Sequence, residues 1–113
     1  MRLKSEFWVK AYLRRCTGAG AMATVLRHGD DDAGAIFIKV VRGDRQALVF
    51  TPAPAGLVDT DAGRRFMPAF KGAAVAEADA DALLQREASF DSDVWVVEIE
   101  ERDGRHFLDT DLV

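Results

Sequence analysis

Two histidines, one cysteine and a run of aspartates are the side chains here with the most obvious chemical potential. Cys16 is the only thiol, and His28 or His106 could activate it as a nucleophile. Two features oppose that reading. Cys16 continues an apolar stripe through Val9, Tyr12 and Leu13, and it sits at the end of a helix, where the dipole disfavours a thiolate. It reads better as a packed core thiol. His28 with Asp30, Asp31 and Asp32, or His106 with Asp109, could hold a metal, but neither spacing is a zinc or calcium signature. Aspartate and glycine are what a solvated hairpin loop requires. No metal, no cofactor and no catalytic residue is expected.

Thr17-Gly18-Ala19-Gly20 is glycine-rich, but it follows a helix and precedes a strand. Phosphate loops run from strand to helix and carry a Lys-Ser/Thr pair, so these glycines read as a helix stop. Glu98 and Glu100 share one strand face and could serve acid–base work only within a cleft. Arg64 and Arg65 are candidate ligand-binding residues, able to hold an anion in a pocket under the loop of residues 53–70.

Elements must position these groups. A helix is expected from Ser5 to about Cys16, capped by Ser5 and ended by Gly18, with Val9, Tyr12, Leu13 and Cys16 inward. Residues 22–28, 35–42 and 46–51 are β-rich runs separated by Gly/Asp turns, the pattern of an antiparallel meander. The second run is apolar on both faces and should be a central strand. Pro52, Pro54, Gly56, Gly63, Pro68 and Gly72 interrupt the next stretch, predicting a loop over 53–64 and a short strand over 65–70, which Pro68 confines to an edge or bulge. A second helix spans Glu77 to about Ser89, with Ala82, Leu83, Arg86 and Phe90 inward. Residues 94–101 form the last long strand, and Asp103-Gly104 signals a hairpin into a short strand over 105–108. The expected fold is α+β, an antiparallel sheet of about four or five strands with two helices, in a single domain over residues 1–113.

Composition narrows the options. The chain is 49% hydrophobic and 30% charged, which suits a packed domain rather than disorder. One cysteine precludes an internal disulfide, and no apolar run reaches membrane-span length. Basic residues break up the N-terminal region, which argues against a secretory signal. A cytoplasmic protein without membrane association is expected. Residues 1–20 carry a net charge of +4 and residues 77–113 a net −9. The acidic third argues against a nucleic-acid surface. Charge runs of this kind are usually solvated faces, and the basic helix should lie near the acidic tail.

An apolar surplus remains. If both helices cover the face holding Ile36, Ile38, Trp95 and Val97, the opposite face holds Phe37, Lys39, Val41, Val94 and Val96. Such a face is too apolar to be wholly exposed. Either the fold covers it, or it is an interface with Lys39 and Glu98 as its charged members. In the second case a charge at Phe37 should disrupt assembly. The segment from Ser5 to Cys16, the pieces Gly29-Asp30 and Asp32-Ala33-Gly34-Ala35-Ile36, and Phe90-Asp91, Asp93, Trp95-Val96-Val97-Glu98 and Asp103 resemble a family of short bacterial proteins catalogued as a domain of unknown function. The resemblance implies a stand-alone protein and brings no activity or functional residue. The reading is therefore a non-enzymatic protein-interaction module, a homodimer or adaptor, using Trp8, Lys10, Arg14 and Arg15 or the face of Phe37, Lys39, Val41, Val96 and Glu98. The alternative is a small enzyme or anionic-ligand binder acting through Arg64 and Arg65.

Overall fold

A computed structural model describes residues 3–54 and 63–113. Helix α1, Ser5–Gly18, buries Trp8, Val9, Tyr12 and Cys16, a stripe at helical spacing. Ser5 does not cap it. Lys4 occupies the cap position without a side-chain hydrogen bond, and the Ser5 hydroxyl donates instead to the carbonyl of Gly34 at 2.6 Å.

The strands are β1 Met22–Arg27, β2 Ile36–Val41, β3 Gln46–Pro52, β4 Phe66–Pro68, β5 Val75–Ala76 and β6 Trp95–Glu100, with helix α2, Glu77–Phe90, before the last. They form one six-stranded sheet in the order β1-β6-β2-β3-β4, with β5 also paired to β3. The sequence leaves the place of the last strand open, at an edge of the meander or inserted centrally, and the structure has it inserted. β6 inserts between β1 and β2, antiparallel to β1 and parallel to β2, so the sheet is mixed. The physical reason is burial: Trp95, Val96 and Val97 of β6 are apolar and buried on both faces, as in a central strand, whereas β1 alternates exposed and half-buried residues, as an edge does. β2 is central as expected, and β4 with its Pro68 lies at the opposite edge.

The helices lie on opposite faces of the sheet. Ile36, Ile38, Val40, Trp95, Val97 and Ile99 face α1; Phe37, Ala47, Val49, Val94 and Val96 pack with Ala80 and Leu84 of α2. The second face is therefore largely covered within the fold. The inward side of α2 differs from the expected one: Ala80 and Leu84 are buried, Ala82 and Arg86 are exposed, and Phe90 is 83% exposed. Basic α1 and acidic α2 do not meet; Arg15 of α1 instead approaches Asp111 at 3.9 Å. No return strand follows Asp103-Gly104. Glu101 closes a turn, accepting the backbone N–H groups of Asp103 and Arg105 at 2.8 Å, and the chain crosses the first face to bury Leu108. Tyr12 holds that crossing by donating to the carbonyl of His106 at 2.6 Å.

Candidate functional site

α2 covers β2 and β3 but leaves the β6–β1 margin of the same face open. The result is a cleft of about 390 Å³. Its floor is Val96 with Lys39, one wall is Asp81, Leu84 and Ala88 of α2, and the other is Leu26 and Arg27 of β1. The β1 wall exists because of an irregularity in pairing. Val25 pairs with Val97, but the next partner, Val96, meets Arg27, so Leu26 is the extra residue of a bulge. A bulge re-aims side chains, and here both Leu26 and Arg27 line the cleft.

Lys39 sits at one end of this cleft with its side chain 3% exposed. Its ammonium lies 2.8 Å from Asp81, 3.0 Å from Glu77 and 3.0 Å from Glu98. Burial pushes the lysine toward neutrality, but hydrogen bonds to Asp81, Glu77 and Glu98 outweigh it and hold the charge above the ordinary lysine range. Glu77 is held below the ordinary carboxylate range, first by its bond to Lys39. Arg45 adds a second cation, bonded to Glu77 and 3.6 Å from Glu100. A lysine whose charge is stabilised by three carboxylates is a poor base and a poor Schiff-base nucleophile. The cluster ties α2 to β2 and β6, and its four acids exceed its two bases.

The other sequence candidates are dispersed. Trp8 is in the first core, stacked on Tyr12 with centroids 4.9 Å apart. Lys10 is exposed and bonded to Glu6 at 2.7 Å; Arg14 is exposed; Arg15 donates to the carbonyl of Phe107 at 2.7 Å. Phe37 and Val41 are buried, so a charge at Phe37 would disrupt folding itself and cannot report on assembly alone. Arg64 and Arg65 flank a separate cleft of about 240 Å³ with Pro52 and Phe66. Arg64 is buried and donates to the Leu3 carbonyl at 3.1 Å and to Ser5 Oγ at 2.8 Å. Residues 55–62, the body of the expected loop, lie outside the described residues. Cys16 is buried, and burial raises its thiol pKa above the ordinary value.

The aspartate loop does structural work. Asp30 Oδ2 accepts the N–H groups of Asp32 and Ala33, while the carbonyls of Asp31 and Asp32 accept N–H groups from Glu6 and Ser5 at the start of α1. The Trp95 indole donates to the Asp30 carbonyl at 2.8 Å, and His28 packs on that indole and meets Asp31 at 2.6 Å. Among the described residues, no group of three or more His, Cys, Asp or Glu side chains is placed to hold a metal. None of the described helices is long and apolar enough to cross a membrane.

These features define a small α+β protein with a mixed sheet, a helix on each face and one open sheet margin. The chain belongs to DUF1491, a family of proteins of unknown function, whose model matches residues 3–109. It is 42% identical to a DUF1491 protein from Caulobacter crescentus CB15 with a crystal structure, over 100% of this chain and 99% of that one, with a TM-score of 0.82. It is 44% identical to protein Atu0922 from A. tumefaciens, solved in solution, over 89% of this chain and 87% of that one, with a TM-score of 0.77. No curated protein matches the chain. The resemblance to a bacterial family of unknown function therefore holds. Several residues that carry it meet at one structural junction: Gly29 and Gly34 pack on the carbonyl of Asp93, and the Asp30 loop joins α1 to β6.

What sequence reasoning missed is the contribution of β1 and α2 to the cleft. Asp81 and Glu77 were hidden by the wrong phase for α2. The alternation of Met22, Thr24 and Leu26 was the available signal for an open edge.

Proposed function

We propose that this chain is a non-enzymatic protein-interaction module, a single cytoplasmic domain that docks its partner along β1 and the adjoining cleft. The observation that carries the reading is the state of β1. Among the described residues nothing pairs with its outer edge, and it exposes Met22 at 68% and Leu26 at 51%. An unpaired, apolar edge strand is a template for another chain. The burial of Cys16 in the first core and the three carboxylates already bonded to Lys39 favour a binding role over a catalytic one. The proposed surface lies beside the one expected from the sequence: Lys39 and Val96 floor the cleft, whereas Phe37 and Val41 do not line it.

The test compares tagged wild-type protein with Met22→Asp/Leu26→Asp in affinity capture from source-type cells. Both side chains are exposed, so the variant should melt with the wild type. Loss of a near-stoichiometric partner on that background supports the reading; undiminished capture refutes it. The cleft beside Arg64 and Arg65 favours a second reading, an anionic-ligand binder. It ranks lower because Arg64 already ties down Ser5 and Leu3. A phosphate-dependent rise in Tm that Arg65→Gln abolishes would revive it.

A further inference from the structure

The docking reading specifies where a partner binds; the charges specify its chemistry. In register across the sheet, Lys39 of β2 lies beside Glu98 of β6, and Glu98 lies beside Thr24 of β1. On one flank β6 therefore takes a lysine, with Phe37 and Val41 two residues either side of it on the same face. On the other flank the corresponding position is a small, exposed threonine, between Met22 and Leu26. The surrounding charges are unbalanced. Glu77, Asp81, Glu98 and Glu100 pair with Lys39 and Arg45, while Arg27 on the β1 wall turns to the Ser92 carbonyl at 3.0 Å; four acids stand against three bases, and the Asp81 and Glu100 side chains remain 48% and 41% exposed.

We infer, resting on that docking reading, that the partner is an extended segment that adds a strand to β1 and carries a lysine or arginine with apolar residues two positions to either side. An added strand stands about 9.6 Å from β6, two strand spacings away. A long basic side chain opposite Thr24 crosses that gap over the small threonine and reaches Glu98 and Asp81. The flanking apolar residues fall on Met22 and toward Leu26. The bulge at Leu26 limits regular pairing to the first part of β1, so the segment is short. The acidic excess and the apolar flanks together favour this occupant over a second copy of the chain, whose own β1 offers Thr24 where the cation is wanted.

The experiment uses the isotope-labelled full chain and a short synthetic peptide alternating threonine with apolar residues, with lysine at its centre. The expected result is shifts and slowed exchange confined to the amides of residues 22–27 and the cleft, with affinity falling as salt rises. Replacing the central lysine with norleucine should weaken binding about tenfold, a factor that one charge-assisted hydrogen bond can supply. Asp81→Asn should weaken the lysine peptide alone, and Thr24→Lys should erase the difference between the peptides. Equal binding of lysine and norleucine peptides overturns the inference. So does a chain that is already a dimer with protected β1 amides, which would make a second copy the occupant. If neither peptide binds while captured partner is still lost in Met22→Asp/Leu26→Asp, the docking reading stands and this assignment of its partner falls.

Discussion

Replacing Lys39 with methionine tests whether the buried cluster holds α2 onto the sheet. Methionine keeps most of the volume, so the change removes charge rather than packing. It leaves Glu77, Asp81 and Glu98 converging on an apolar floor without the ammonium that lay 2.8–3.0 Å from each. Removing one partner of a buried ion pair costs roughly 3–5 kcal/mol. The three carboxylates retain 28%, 48% and 21% exposure, so part of their charge stays hydrated. The lower end, about 3 kcal/mol, is therefore expected. At this chain length that is a fall of ~12 °C in Tm. The pH dependence separates this from a packing loss. Glu77 is depressed in the folded wild type, so its stabilisation is present above its ordinary pKa of 4.5 and is lost as pH falls through the folded value. Lys39 is raised, so its contribution is complete below the ordinary lysine pKa and is lost only as pH rises through the folded value. Between pH 5 and 9 the gap between wild type and Lys39→Met should thus be flat. Toward pH 4 it should narrow, because protonation relieves the variant's carboxylates while it weakens the wild-type cluster. Urea unfolding at pH 7 and pH 4 measures both. A loss below about 1 kcal/mol at pH 7, or a gap of equal size at the two pH values, refutes the reasoning.

Other substitutions probe the junction and the core. Gly29→Ala and Gly34→Ala each place a methyl against the Asp93 carbonyl, a backbone atom that cannot swing aside, and should cost at least 2 kcal/mol by thermal unfolding. Gly18→Ala, in the last turn of α1 with nothing within 4 Å, should instead be neutral or stabilise by up to about 1 kcal/mol. Ser5→Ala removes both the donor to Gly34 and the acceptor of Arg64, at an expected cost of roughly 1–3 kcal/mol in the same assay. Cys16, fully buried and held as a thiol, should resist iodoacetamide in the native protein and react at once in urea; fast native alkylation would contradict its placement.

The difference between what was legible in the sequence and what was not arises from the range of each signal. Period-two alternation and Gly/Asp punctuation act over a few residues, so the strands and the edge position of Pro68 could be read directly. The pairing of β6 with both β1 and β2 joins residues 59 to 78 positions apart, and no local pattern encodes it. Its trace was burial: Trp95 to Val97 is apolar on both faces, while β1 alternates. α2 was misphased because its alanines make a weak stripe, in which Ala80 and Ala82 look alike until a sheet is packed against one of them. That error hid Asp81 and Glu77, although Lys39 and Glu98 were already visible as the two charges on an otherwise apolar face.

Those two charges also explain why a lysine stands where a methionine would fill the space. β2 is buried on both faces and apolar on both, so hydrophobicity alone does not distinguish one register from the next. A one-residue slip would turn Lys39 into the core beneath α1, among Tyr12 and Trp95, with no carboxylate to receive it. In the native register it meets Glu98 from β6 and Glu77 and Asp81 from α2, so one side chain fixes the strand and the helix together. The same arrangement leaves the acidic excess on the open margin of the sheet. The Lys39→Met protein should therefore show altered pairing at β2 in its amide exchange pattern as well as lower stability, since the residue that distinguishes the registers is gone.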